Sequence, residues 1–258
     1  MEKIKTTIIF ILFSALMISG CGNPSPPPAE EKKGQGPVSE KRDKTQDRYT
    51  PLRNEMVSYQ IELRGIEEKK VLDAMREVPR HIFVPDEYRE AAYADTPLPI
   101  SYGQTISQPY IVALMTELID IDRSSKVLEV GTGSGYQAAV LSRIAGKVYS
   151  VEIVKGLHEQ AARNLGSAGY HGVKTRHGDG YYGWREHAPY DAIIVTCASE
   201  FIPPDLVSQL KKGGRMCIPV GPPFKVQHLL LIRKSEAGRV SVEMITEVRF
   251  VPLVRSKS

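Results

Sequence analysis

The amino-acid sequence predicts an α/β protein built on a doubly wound, mostly parallel sheet, with a helical extension ahead of it. Three observations carry this reading. From Asp122 onward, apolar runs of strand length alternate with stretches of helical periodicity. A glycine turn, Gly131-Thr132-Gly133-Ser134-Gly135, falls between one such run and the helix that follows it. Carboxylates stand at the ends of successive predicted strands. Strand–helix alternation implies parallel pairing, with the ligand expected at the carboxyl ends of the strands.

Residues 1–21 read as a leader rather than as part of the fold. Lys3 and Lys5 precede an apolar stretch from about Ile8 to Ile18, which is short for a membrane span and fits the middle of a secretory signal. It ends in Ile18-Ser19-Gly20-Cys21, which resembles the lipobox of bacterial lipoproteins. That resemblance implies lipidation at Cys21, a membrane anchor, and a place in the cell envelope facing the periplasm or exterior. Residues 22–50 form a linker. Between Gly22 and Arg48 the only aliphatic side chains are Ala29 and Val38, too little apolar surface to offset ordering entropy.

Residues 51–258 are the expected folded domain. Leu63, Ile66, Val71, Leu72 and Met75 recur at helical spacing, with Gly65 as a break between two short helices. Five prolines between Pro79 and Pro109 mark an irregular stretch, and a helix is predicted from Pro109 through Leu118. Lys126–Val130 reads as a strand, Tyr136–Ile144 as a helix, Lys147–Val151 as a second strand closed by Glu152, and Leu157–Leu165 as a helix. Val173–Arg176, Asp191–Thr196 and Arg215–Val220 continue the strands, with a helix from Pro204 to Leu210. Gln227–Ile232 and Val240–Val248 look like an antiparallel pair turning at Ala237-Gly238.

Composition narrows the function. The net charge of +4 is partly terminal: the first 50 residues hold 8 Lys/Arg and 6 Asp/Glu, leaving 26 against 24. A nearly neutral body lacks the basic footprint of a nucleic-acid binder, so none is expected as partner. Cys21, Cys197 and Cys217 make no metal-ligand spacing, so no metal is expected, and the last two read as core thiols.

The glycine turn is G-x-G-x-G, without the lysine of a P-loop and with Tyr136 where a dinucleotide fingerprint wants glycine. Gly131 and Gly133 allow the backbone to pass close to a ligand. Glu152, about twenty residues on, is placed to accept ribose hydroxyls, which by itself also suits a nicotinamide cofactor. Glu129 decides between them. A carboxylate there repels a pyrophosphate and suits the ammonium of a methionine moiety. Asp179-Gly180 follows the third strand, where an acid accepts from an adenine amino group. Together the three acids point to S-adenosyl-L-methionine, a cation at both sulfonium and ammonium, and to a Rossmann-like methyltransferase fold.

A more specific likeness lies upstream. Gly103-Gln104-Thr105-Ile106-Ser107-Gln108-Pro109-Tyr110 resembles the signature of protein-L-isoaspartate O-methyltransferases. The resemblance continues through Val127–Tyr136, Arg176–Gly180, Tyr190–Thr196 and Val248–Leu253, in the family's order. It implies methylation of the free carboxylate of L-isoaspartyl residues in damaged proteins and peptides, with S-adenosylmethionine as donor. It also implies Ser107 as the active-site serine, Thr105 and Ile106 beside it on the substrate side, and Glu129, Gly131, Glu152, Asp179 and Gly180 as cofactor contacts. A monomer is expected. After Leu253 the chain reads Val254-Arg255-Ser256-Lys257-Ser258, and Val254 offers no side-chain donor, so no binding residue is assigned there. Val251 and Leu253 are candidates for backbone pairing with a substrate peptide, and Tyr181, Tyr182 and Trp184 for either a pocket wall or plain core.

Two other readings stay open at this point. One is a methyltransferase for a different acceptor, although the Asn/Asp-Pro-Pro-aromatic motif of DNA amino-methylases is absent. The other is a lipid-anchored binder of damaged chains without turnover. Location is open too, because Met56-Val57-Ser58 stands where cytoplasmic family members begin.

Overall fold

The computed structural model describes residues 48–256. The leader, Cys21 and the linker up to Asp47 lie outside the described residues.

The first helical segment is longer than its sequence pattern suggests. Helix α1 (Thr50–Glu55) has Pro51 in its first turn and runs into a π-helical turn over Met56–Ile61 and a 3₁₀ turn over Glu62–Arg64. The wider π spacing, bonding residue i to i+5, brings Met56, Val57 and Ile61 to one buried side. Gly65, at φ 92°, ends the segment where the break was expected. Helix α2 (Lys69–Glu77) buries Val71, Leu72, Ala74 and Met75. The proline-punctuated stretch folds into 3₁₀ turns and a two-residue antiparallel pair, β1 (Leu98–Pro99) with β2 (Thr105–Ile106). Helix α3 (Pro109–Leu118) starts on its proline, as expected.

The sheet has seven strands: β3 (Lys126–Val130), β4 (Lys147–Glu152), β5 (Val173–His177), β6 (Tyr190–Val195), β7 (Leu210–Val220), β8 (Gln227–Lys234) and β9 (Val240–Val248). Helices α4 (Tyr136–Ile144), α5 (Lys155–Ser167) and α6 (Pro204–Gln209) make the crossovers. The order is β5-β4-β3-β6-β7-β8-β9; the first five strands are parallel to one another, and β8 and β9 are antiparallel to their neighbours. The chain leaves β3 toward one edge and returns to its other side at β6, so a crevice opens at the carboxyl ends of these two strands. One difference from the sequence reading is the start of β7. Lys211-Lys212-Gly213-Gly214 looks like a loop, yet the strand begins at Leu210, opposite Tyr190, and takes up a register shift before Arg215 meets Ala192.

Central strands are covered on both faces and so read as continuous apolar runs. Val127, Ala192, Ile194 and Cys217 join the core under α2, α3 and α4. Leu128, Val130, Ile193, Val195 and Met216 alternate to the opposite face. A buried cation helps tie the helical extension to this body. The guanidinium of Arg80 is fully buried; its Nε donates to the Ala92 carbonyl at 2.7 Å, and it stacks 4.9 Å over the ring of Tyr136, the first residue of α4. Burial without a carboxylate partner lowers its pKa to about 10.

Candidate functional site

The glycine turn crosses the head of β3. Gly131 sits at φ 95°, and a Cβ there would lie 2.6 Å from Oγ1 of Thr196 at the end of β6. That hydroxyl donates to the Gly131 carbonyl at 2.5 Å, pinning the turn across the switch point. Only glycine fits this conformation and this approach together. Gly180 is needed for space: a Cβ would come 2.5 Å from Val130.

Glu129, the fourth residue of β3, is completely buried. The parallel register sets it opposite Ser150 on β4, and Ser150 Oγ donates to its Oε2 at 2.5 Å. Thr132 Oγ1 lies 2.6 Å from Ser150 Oγ, extending the chain into the glycine turn. The other carboxylate oxygen, Oε1, is buried without a partner. Burial pushes the Glu129 carboxyl up to about 8, the Ser150 hydrogen bond opposes that, and the charge of Glu152 adds to it.

Glu152 ends β4 with both oxygens already oriented. Oε2 accepts from the Gly133 amide at 2.9 Å and Oε1 from the Val154 amide at 3.0 Å. Each oxygen keeps a second lone pair. Asp179 is placed otherwise. Its Oδ1 accepts from the Tyr181 amide, while Oδ2 takes Arg255 Nε and both the amide and hydroxyl of Ser256, at 3.0–3.1 Å. Partial burial would raise its pKa, but these donors outweigh that and hold it below the usual range. Arg255 also stacks 3.5 Å over the Tyr181 ring.

These groups surround a cavity of about 750 Å³, counted to its open mouth. Glu129, Gly131, Gly133, Glu152 and Gly180 line it from below, and Thr105, Ile106 and Ser107 line it from the β2 side. Val251 to Val254 close a further wall. Asp179 is not among the lining residues, since the tail occupies its carboxylate. Among the described residues no Lys, Arg or His lines the cavity, and the formal charges they bring to it are carboxylates. Thr105 and Ser107 also face an adjoining groove of about 990 Å³, with Pro97, Ile111, Arg249 and Phe250. The Ser107 hydroxyl, at this shared wall, makes no hydrogen bond to a described residue.

Two expectations about backbone and aromatic groups are narrowed. The Leu253 amide donates to Ala198 O at 2.7 Å and the Val251 carbonyl accepts from Ala198 N at 2.8 Å, which leaves the Val251 amide and the Leu253 carbonyl as the groups able to pair with a peptide. Trp184 packs against Tyr149 and His187 on the second core face, and Tyr181 lies under Arg255; neither lines the cavity. Cys197 and Cys217 are buried free thiols, and Cys197 lines the cavity. Ser150, Thr132 and Arg255 are site residues the sequence reading did not single out. Ser150 carried a signal, a hydroxyl in an apolar strand two positions before Glu152 and hence on the same face; Arg255 carried none.

Comparison with known proteins agrees with this architecture. A family model described as protein-L-isoaspartate(D-aspartate) O-methyltransferase matches residues 52–258. A protein-L-isoaspartate O-methyltransferase 2 from Shewanella sediminis is 53% identical over 208 residues, 80% of this chain and 84% of that one. One of the same name from Syntrophobacter fumaroxidans is 58% identical over 184 residues, 71% and 74% of the two chains. Among solved structures, a protein-L-isoaspartate O-methyltransferase aligns with TM-score 0.70 at 32% identity, covering 77% of this chain and 65% of that one. A putative protein-L-isoaspartate O-methyltransferase from Plasmodium falciparum, in complex with S-adenosyl-L-homocysteine, aligns with TM-score 0.68 at 25% identity, covering 78% and 98%.

Proposed function

The chain belongs to the protein-L-isoaspartate O-methyltransferase family, and from that premise we propose how its residues carry out the transfer of a methyl group to the free carboxylate of L-isoaspartyl residues in damaged proteins and peptides. It is an S-adenosylmethionine-dependent methyltransferase with an α/β Rossmann-like fold. One observation carries the assignment of roles: a cavity whose charged lining, among the described residues, is carboxylate meets an acceptor groove at a wall bearing Ser107.

The residues present fit the donor. Glu129 offers a buried, unpartnered oxygen for an ammonium, and Glu152 offers fixed lone pairs for ribose hydroxyls. Gly131 and Gly133 keep the turn thin, and a pyrophosphate would meet two carboxylates and, among the described residues, no cation. When bound, the donor supplies an electrophilic methyl on a sulfonium. An isoaspartyl carboxylate is already ionised at neutral pH, so no general base is required. What the chain contributes is alignment and exclusion of water. Ser107 is assigned to orient the acceptor carboxylate, where a neutral hydroxyl holds the oxygen without the charge that would blunt its attack. Thr105 and Ile106 support it from β2.

With labelled donor, the purified protein should methylate an isoaspartyl peptide and leave the same peptide with normal aspartate untouched; equal labelling of both would sink the acceptor assignment. Ser107→Ala should slow turnover roughly a hundredfold to a thousandfold while leaving donor affinity nearly unchanged.

We further infer that the mature protein acts as a monomer tethered in the cell envelope by lipid on Cys21, with residues 22–50 as the tether and 51–258 as the working domain. The support is the order of charge, apolar stretch and lipobox in residues 1–21. Mass spectrometry of the mature N-terminus from fractionated cells tests it: a diacylated Cys21 is expected, and an unmodified start at Met56 would overturn it.

A further inference from the structure

Glu129 is a buried carboxylate held by one hydroxyl, and the direction of that hydrogen bond has a consequence for ligand capture. Ser150 Oγ has a single proton, and it is directed to Glu129 Oε2 at 2.5 Å. The 2.6 Å contact between Thr132 and Ser150 must then be donated by Thr132. Both hydroxyls are buried, so water does not compete for either bond. The relay Thr132→Ser150→Glu129 fixes Oε2 and leaves Oε1 unpartnered at the cavity wall.

The remaining surroundings oppose ionisation. Glu152 on β4 is a second carboxylate across the glycine turn, and among the described residues no cation lines the cavity to offset it; Cys197 after β6 is a thiol kept neutral, chiefly by its burial and further by both carboxylates. Among the described residues, Ser150 is the neighbour whose bond favours the anion.

We propose that Ser150 is a positioning residue for Glu129 and that capture of the ligand's ammonium is coupled to release of one proton from the Glu129 carboxyl, with Ser150 setting the pH at which this occurs. The inference rests on the cofactor reading above. Its proton balance is simple: the Glu129 O–H bond breaks, the proton leaves to solvent, and the ligand ammonium keeps its own protons while pairing with the carboxylate left behind. Ser150 donates to Oε2 in both states, and that bond is stronger to the anion than to the acid.

Calorimetry of S-adenosylhomocysteine binding, in buffers of different ionisation heat, reads this directly. At pH 6.5 the wild type should release close to one proton per ligand, and affinity should rise nearly tenfold per pH unit until it levels near pH 8. Glu129→Gln should abolish the release, and 5′-methylthioadenosine, which lacks the amino-acid arm, should bind with none. Ser150→Ala removes the bond favouring the anion, so the levelling point should move upward by about one pH unit. Its affinity loss should be about tenfold at pH 6.5 and much smaller at high pH, and Ser150→Thr, which keeps the hydroxyl, should restore the wild-type profile. No proton release by the wild type, or an equal affinity loss in Ser150→Ala at every pH, would overturn the proposal while leaving the cofactor assignment standing. Failure of S-adenosylhomocysteine to bind at all would instead remove the cofactor assignment and the proposal with it.

Discussion

Glu129 shows how a single side chain can be placed against its own stability. Its carboxyl is raised to about 8 in the fold from an ordinary 4.5, chiefly by burial. Between those values the folded state holds a proton the unfolded state has lost, so stability falls as pH rises through the window. The contribution is fully present below about 4.5 and gone above about 8. Glu129→Gln should therefore raise the melting temperature of the ligand-free protein at pH 9 by several degrees and change it little at pH 5. Thermal melts at the two pH values check this; an equal shift at both would show that Glu129 is not protonated in the free site. The same variant should bind the donor less tightly, which is the sense in which the residue serves the ligand rather than the fold.

At the scale of elements, the glycine turn depends on strands that meet far apart in sequence. Gly131→Ala would force a Cβ into the Thr196 hydroxyl and hold alanine at φ 95°. The variant should lose about 2 kcal/mol of stability in denaturant titration and bind donor weakly even where it remains folded. An unaltered unfolding midpoint would mean the turn can relax away from β6. Local patterns made much of this architecture legible. The runs at Lys126–Val130 and Val240–Val248, the proline that opens α3 and the glycine punctuation are properties of neighbouring residues, and they reappear in the structure with those bounds. What stayed hidden depends on register. Nothing in Tyr149-Ser150-Val151 announces that Ser150 stands opposite Glu129 rather than one residue off, because parallel register is set by packing on both faces. The polar start of β7 was missed for a related reason: Lys211 and Lys212 are exposed at the sheet's end, where strand pairing does not require apolar side chains. The tail's hold on Asp179 was equally unreadable, since charged residues after Leu253 look the same whether they dangle or dock.

For the molecule as a whole, the cavity is assembled from regions that are remote in the chain, among them the β2 segment, the heads of β3, β4 and β6, and the stretch from Val251 to Val254. No one of them encloses a ligand alone. The extension joins this assembly through Arg80, whose guanidinium lies over Tyr136, and Tyr136 is itself a lining residue. Ligand occupancy and the local opening of the extension are therefore linked equilibria. An opening that withdraws Arg80 from Tyr136 exposes a cavity wall, and a bound ligand opposes it by mass action, by up to about 2.7 kcal/mol at a hundred times its dissociation constant. Backbone amides of α2 and of residues 80–83, none of which line the cavity, should then exchange with deuterium as much as a hundredfold more slowly when S-adenosylhomocysteine is present. Hydrogen-exchange mass spectrometry with and without the ligand measures this, and the slowing should disappear in Arg80→Met. Exchange there that ignores the ligand would make the extension a passive cover; protection would make it a reporter of occupancy, readable from outside the site.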